Sequence, residues 1–294
     1  MKRIGIFCFS GTGNTEIVAN LLAEGLRRRQ ADVEIIRVED VLYKGREVQP
    51  DNFDLIGVGH PVLGFDATGV VYNFVRLLPH CAGKKAFVFK TAGDPHYVNY
   101  GASKSIIKIM RAKGYEVFHD SLTAMPCNWY LRYDDRLVKQ LYEAAVKKAD
   151  KISWEILTET ARTLKINPVL RAVLKLIYHA EEKLGAKYFG KGLKASGACI
   201  SCKKCVNECP SGNITMEGTN VRFGSKCIWC MRCIYSCPKN AICPSIFISC
   251  VLKDGYNGGF NIQRILDDPA VEGNFVTDKT RGYYKHFYKY LSNI

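Results

Sequence analysis

The chain has 294 residues, 47% hydrophobic and 24% charged, proportions of a globular protein that exclude a disordered, collagenous or coiled-coil chain. That length suits two compact domains, or one large domain and a smaller one. The net charge of +14 keeps acidic partners and nucleic acid among the classes to weigh, while no stretch approaches the roughly 18 apolar residues of a membrane span.

The start, Met1-Lys2-Arg3 followed by a short apolar run, leads straight into Ser10-Gly11-Thr12-Gly13 with no cleavage-site pattern, so a cytoplasmic protein is expected. Arg3–Phe9 reads as a strand and Asn14–Gln30 as a helix, with Ile17, Val18, Leu21, Leu22 and Leu26 on one face. Val33–Val38 and Phe53–Gly59 read as strands, the second apolar enough for burial on both faces. Thr68–Leu78 is helical, Lys84–Lys90 a strand, Gly101–Lys113 a helix stopped by Gly114, and Tyr115–Leu122 the last strand. Five strands separated by helices predict an α/β domain with a doubly wound parallel sheet. Asp134–Lys165 reads as one long helix or two and closes a domain over 1–165.

Asn167-Pro168 breaks the helical pattern, which resumes over Val169–Leu184 and gives way to a Gly- and Lys-rich stretch, Gly185–Gly197. Residues 166–197 are therefore expected to be a helical linker, and 198–250 a second domain. Residues 251–294 form an aromatic extension that closes on a helix and has no chemical reading.

Ser10-Gly11-Thr12-Gly13-Asn14-Thr15 joins the first strand to the first helix. Its glycines let the backbone turn N–H groups inward, and three hydroxyls meet a helix N-terminus, which makes an anion site for a phosphate. No Gly-Lys-Ser/Thr follows and the run is not Gly-x-Gly-x-x-Gly, so neither a triphosphate nor a dinucleotide fingerprint is present. A phosphomonoester held without lysine suggests FMN.

Thirteen cysteines are present, ten of them between Cys199 and Cys250, a cluster that points to metal rather than disulfides. Cys199-Ile-Ser-Cys202-Lys-Lys-Cys205-Val-Asn-Glu-Cys209-Pro210 recurs 28 residues later as Cys227-Ile-Trp-Cys230-Met-Arg-Cys233-Ile-Tyr-Ser-Cys237-Pro238, and Ile214 and Ile242 repeat at the same offset. Each half is the Cys-x2-Cys-x2-Cys-x3-Cys-Pro run of [4Fe–4S] proteins, whose fourth cysteine ligates the other cluster. Cluster one falls to Cys199, Cys202, Cys205 and Cys237, and cluster two to Cys227, Cys230, Cys233 and Cys209. Structural zinc also takes four thiolates, but it usually pairs two cysteines with a distant second two. Cys8, Cys81, Cys243 and Cys250 read as packing residues.

The cysteine repeat resembles the bacterial two-cluster ferredoxins over about 198–245. The 10–15 loop resembles the flavodoxin phosphate loop, (Ser/Thr)-x-Thr-Gly-x-Thr, through Ser10, Thr12, Gly13 and Thr15. Two further segments agree: His60-Pro61-Val62-Leu63-Gly64-Phe65-Asp66 after the third strand, and Thr91-Ala92-Gly93-Asp94-Pro95-His96-Tyr97 after the fourth. The latter is similar to the flavodoxin Gly-Asp-x-x-Tyr loop. The resemblance implies an FMN site made by residues 10–15, Pro61, Val62, Leu63, Gly64, Thr91, Ala92, Gly93, Asp94 and Tyr97. It makes Tyr97 the ring-stacking residue and Gly64 the backbone contact to the reactive flavin nitrogen. Leu63 stands nearest to where many flavodoxins have a stacking tryptophan. Together the two halves resemble the flavodoxin–ferredoxin fusions of the EFR1 type, known mainly from anaerobes.

Met125-Pro126-Cys127-Asn128-Trp129-Tyr130 follows the fifth strand and should lie at the carboxyl edge of the sheet, either covering the ring, binding a planar substrate or packing on the cluster module. His60 and His96 fall in flavin-proximal loops, as proton donors or as packed side chains. The +14 charge is uneven: residues 151–250 hold 15 Lys/Arg against 6 Asp/Glu. Lys203, Lys204, Arg222, Lys226, Arg232 and Lys239 lie in or beside the cluster module. They would form a docking surface for an acidic ferredoxin or another iron–sulfur redox protein, or only a solvated face.

Three functions follow. Electrons pass between two clusters and FMN, fed by an external low-potential ferredoxin; or FMN reduces a small organic acceptor; or the chain is a zinc-bearing nucleic-acid binder. Cys-Pro endings and a phosphate-cofactor loop have no place in the last.

Overall fold

The computed structural model describes residues 1–294. Its first half is a sheet of five parallel strands: β1 (Arg3–Cys8), β2 (Asp32–Arg37), β3 (Leu55–Pro61), β4 (Lys84–Ala92) and β5 (Tyr115–Ala124), ordered β2-β1-β3-β4-β5. The apolar runs of β1 and β3 are central because both their faces are covered. On one side lie α1 (Asn14–Arg27) and α5 (Asp135–Leu157), with Val18, Leu22, Leu26, Leu137, Leu141 and Ile152 in one core. The other side carries α2 (Val38–Tyr43), α3 (Gly69–Leu77) and α4 (Lys104–Ala112), with Val41, Val71, Phe74, Ile106 and Met110 against Phe7 and Val88. The predicted doubly wound domain is the one observed.

Several boundaries differ from expectation for local reasons. The expected helix from Gly101 begins instead as a 3₁₀ turn over Tyr97–Ser103, then continues as α4. Asp94 builds that turn: its Oδ1 accepts the His96 N–H at 2.7 Å and its carbonyl accepts Asn99 Nδ2 at 2.8 Å. The helix expected to run to Lys165 ends at Leu157, and the break expected at Asn167-Pro168 is where the next helix starts. Asn167 Oδ1 accepts the N–H groups of Val169 and Leu170, and Pro168 opens α6 (Pro168–Ala180). A π-helical turn over Glu181–Ala186 carries α6 into α7 (Lys187–Lys191).

β6 (Leu193–Ala195) pairs antiparallel with β9 (Ile242–Pro244), and β7 (Ile214–Glu217) with β8 (Asn220–Phe223). Two four-residue helices, α8 (Lys204–Asn207) and α9 (Arg232–Tyr235), occupy equivalent places in the two cysteine motifs. The repeated Ile214 and Ile242 open β7 and β9. Cys243 is exposed on β9 rather than packed. The extension folds back onto the first domain through α10 (Gln263–Leu266) and α11 (Lys285–Leu291), with Ile262, Ile265, Val276 and Phe287 in the α1/α5 core. No helix is long and apolar enough to cross a membrane.

Candidate metal and cofactor site

The two cysteine motifs share one backbone path. Ser201 and Lys203 have φ of 53° and 61°, and their equivalents Trp229 and Met231 have 61° and 60°. Gly212 and Asn240, three residues after each fourth cysteine, have φ of 60° and 47°. Five of these six positions are not glycine, so the left-handed geometry is held against its intrinsic cost. Such residues turn successive N–H groups into a hollow suited to anionic clusters. N–H···S bonds repeat as well: Asn213 N–H to Cys209 Sγ at 3.2 Å and Ala241 N–H to Cys237 Sγ at 3.3 Å.

Cys199, Cys202, Cys205 and Cys237 surround one small cavity. Burial, then the nearby sulfurs of Cys230, Cys227 and Cys209, pushes the Cys233 thiol well above its ordinary value, and burial with Cys230 and Cys209 pushes Cys227 up to about 12. Binding of metal makes such clustered thiols thiolates, and a set of cysteine sulfurs is the donor set a cluster takes. No three Cys, His, Asp or Glu side chains converge on a point as the ligands of a single ion do; ligands of a cubane stand at its corners instead. Cys199, Cys202, Cys205 and Cys237 thus line one cavity, and Cys209, Cys227, Cys230 and Cys233 lie near enough to act on one another.

The loops after β1, β3, β4 and β5 meet at the carboxyl edge of the sheet, where the strand order reverses, around a cavity of about 430 Å³. That size suits a cofactor. Ser10, Gly11, Thr12, Asn14, Thr15, Pro61, Val62, Leu63, Gly64, Thr91, Ala92, Gly93 and Asp94 all line it. Gly13, at φ 98°, lies behind: its N–H donates to Ser10 Oγ at 3.1 Å, and no side chain caps α1. The first-turn N–H groups are therefore free for an anion. Thr15 Oγ1 and Thr91 Oγ1 are 2.7 Å apart, Thr12 Oγ1 accepts Asn128 Nδ2 at 3.0 Å, and the buried Asn14 Oδ1 has no partner. Gly64 and Phe65, at φ 57° and 67°, form the tight turn between Leu63 and Asp66.

Tyr97 is not on this wall. The turn built by Asp94 carries it outward, 49% exposed and 4.5 Å from the His96 ring, while Trp129, Tyr130, Tyr133 and Tyr283 line the cavity. Neither histidine reaches it. His60 is fully buried, with Nδ1 3.0 Å from its neighbour's carbonyl and burial pulling its pKa down to about 4. His96 caps the 3₁₀ turn. The 126–130 segment both covers and packs: Trp129 meets Trp229 of the cluster module edge-on at 5.0 Å, and Tyr130 N–H donates to the Cys250 carbonyl. Cys127 Sγ donates to the Trp129 carbonyl at 2.9 Å.

Three contributors carry no signal in the sequence. Glu181, at the π-helical turn, lines the cavity against Gly64, and burial pushes its carboxyl up. The extension covers the phosphate loop, the Phe260 N–H donating to the Thr12 carbonyl at 3.0 Å. Arg232, expected among the surface charges, is 4% exposed. Its guanidinium donates to the carbonyls of Ser10 (2.5 Å), Gly11 (3.2 Å) and Glu208 (2.9 Å) and to Glu39 Oε1 (2.6 Å). It locks the module so tightly that a Cβ on Gly11 would stand 2.7 Å from the Cys230 carbonyl, and Cys230 lines the cavity itself.

Residues 192–238 match the 4Fe-4S dicluster domain family, and no curated protein matches the chain. Among solved structures the chain is similar to oxidised flavodoxin 1 from Bacillus cereus, at 24% identity over 54% of this chain and 98% of that one, TM-score 0.39. It is similar to two-electron reduced Megasphaera elsdenii flavodoxin, at 28% identity over 49% of this chain and 98% of that one, TM-score 0.34. An NADH:FMN oxidoreductase in its apo form matches at 21% identity over 58% of this chain and 94% of that one, TM-score 0.36. The strand order is itself that of flavodoxin-like sheets. The chain is a fusion of a flavodoxin-like doubly wound domain with a 4Fe–4S dicluster domain.

Proposed function

We propose that this chain, a fusion of the EFR1 type, is an iron–sulfur flavoprotein that passes electrons between two [4Fe–4S] clusters and FMN, fed by an acidic low-potential ferredoxin or a similar iron–sulfur protein. One observation carries the reading: Cys230 belongs to the second cysteine motif and also lines the cavity behind the phosphate loop. Cluster two is then the one beside the flavin and cluster one the outer one. Bound in the cavity, FMN would exchange one or two electrons where a cluster exchanges one.

The residues of the chain divide the remaining work. Thr12, Thr15 and the free N–H groups of α1 would hold the phosphate. Trp129, Tyr130 and Leu63 supply apolar wall, in place of the outward-turned Tyr97. Trp129 and Trp229 close the seam between the domains against water. The direct test is an anaerobic preparation with about eight irons, about eight acid-labile sulfides and one non-covalent flavin per chain; stoichiometric zinc without sulfide ends the reading. Combining Thr12→Val with Thr15→Val is expected to weaken FMN binding by about 1–3 kcal/mol, read by flavin titration of the apoprotein. Full retention would remove the loop from the phosphate site.

The entry point is also testable. Lys203, Lys204 and Lys239 are exposed around the cavity of the first cysteine quartet, as is Cys202. Reduction by an acidic ferredoxin should slow steeply as ionic strength passes ~0.1 M, where the Debye length is ~10 Å. Reversing Lys203 and Lys204 to Glu should slow it at low salt without loss of iron. A stopped-flow rate flat in salt and unchanged in that variant would make the charge a solvated face.

Glu181 favours a second reading, reduction of a small organic acceptor at the flavin. A carboxyl held toward its protonated form on the cavity wall is a proton source. Catalytic turnover of an acceptor in excess over the protein separates this reading from pure electron carriage.

A further inference from the structure

A second cavity, of about 490 Å³, opens at the outer edge of β5 between α5, the 95–100 turn and α11. Lys148, Lys151, Arg162 and Lys289 line it. Arg162 is engaged by Glu155, its Nε 2.9 Å from Oε2. The other three cations form no ion pair, and Lys148 Nζ stands 4.4 Å from the centroid of the Tyr290 ring. Burial, then the charges of Arg162 and Lys151, opposed by Glu155, pulls the Lys148 ammonium down to about 7, so an anion brought beside it would restore its charge. Ile294 lines the cavity too. Ser121 lines the same cavity, 2% exposed, and its Oγ bonds to nothing. A buried hydroxyl without a partner is rare and costly. Tyr97 and Tyr100 add flat aromatic surface to its lining.

We propose that this cavity binds a small organic anion bearing a planar ring, its acid group held by Lys148, Lys289 and Ser121 and its ring laid against Tyr97 and Tyr100. The outward turn of Tyr97, which removes it from the cofactor cavity, gives it this place. One loop separates the two cavities: Pro95 and His96 line the anion cavity, and Asp94 lines the cofactor cavity. Asp94 Oδ1 lies 2.6 Å from Nε2 of His286, which lines the anion cavity. An occupant would therefore sit beside the cofactor without competing for its space.

Calorimetric titration of the intact protein, purified anaerobically, with benzoate and with phenyl phosphate tests this, with cyclohexanecarboxylate and benzyl alcohol as controls. At least one of the two ring-bearing anions is expected to saturate at one per chain, with the saturated acid weaker and the alcohol silent. Lys148→Met, which keeps the side-chain volume, should weaken the binding about ten-fold, as loss of a charge-assisted contact does. Ser121→Ala should weaken it about three-fold or more, with iron and flavin content unchanged in both variants. Failure of both anions to saturate overturns the proposal, as does equal affinity in the wild type and both variants. Equal binding of the saturated acid overturns the assignment of a planar ring. Because the readout is heat of binding, its failure is separate from any failure to find FMN.

Discussion

Replacing Cys209 with serine is expected to remove cluster two, and with it the reduction of FMN by ferredoxin, while cluster one remains. Cys209 ends the first cysteine motif, but the proposed crossover gives it to the second, and its sulfur is near enough to help push up the Cys233 and Cys227 thiols. The loop after it is tied to the second motif through Asn213, whose N–H donates to Cys209 Sγ and whose Oδ1 accepts the Lys226 N–H at 2.6 Å. Iron and sulfide should fall to about half, roughly four of eight. Electrons should still enter the outer cluster, since Cys199, Cys202, Cys205 and Cys237 are untouched. Freeze-quench spectroscopy then shows one reduced cluster and an oxidised flavin. Loss of cluster one instead would mean that the fourth cysteines do not cross over. Flavin reduced at the wild-type rate would mean that cluster two is not on the route.

The parts of the fold written as local signals are legible in the amino-acid sequence itself. The five strands stand out as apolar runs between amphipathic helices, and the cysteine repeat marks the 4Fe–4S dicluster domain. Asn167-Pro168 marks both the expected break and the start of the resumed helix, because Asn caps and Pro opens a helix. Tyr97 carries a motif, but Asp94 uses its carboxylate and carbonyl to wind the following turn, and a motif does not record which way a side chain leaves a turn. The extension has aromatic content and no pattern, because its contacts are with α5 and the phosphate loop, far away in sequence. Charge counting puts Arg232 on the surface since three of its four partners lie more than 190 residues earlier. Surface charge and buried clamp look alike in a composition.

Arg232→Met is accordingly expected to destabilise the protein by about 3–5 kcal/mol, the usual cost of breaking a buried pair from one side. The guanidinium donates to three carbonyls and to Glu39, whose side chain is 9% exposed. Without it Glu39 keeps only Arg37, 3.6 Å away, and its Oε2 already lacks a partner. The carbonyls of Ser10 and Gly11 would also face the cluster module with no donor. Adding Glu39→Met should recover much of the loss, because a buried pair replaced by apolar side chains of similar volume is often near neutral. Anaerobic urea unfolding of the two variants and the wild type, followed by cluster absorbance, measures both steps. The double variant also separates stability from position. Methionine cannot hold the phosphate loop against Cys230, so cluster-to-flavin transfer should stay slow even where stability has returned. A single variant that unfolds at the wild-type midpoint, or a double variant that restores both stability and transfer rate, would show that Arg232 does not set the distance between the two redox centres.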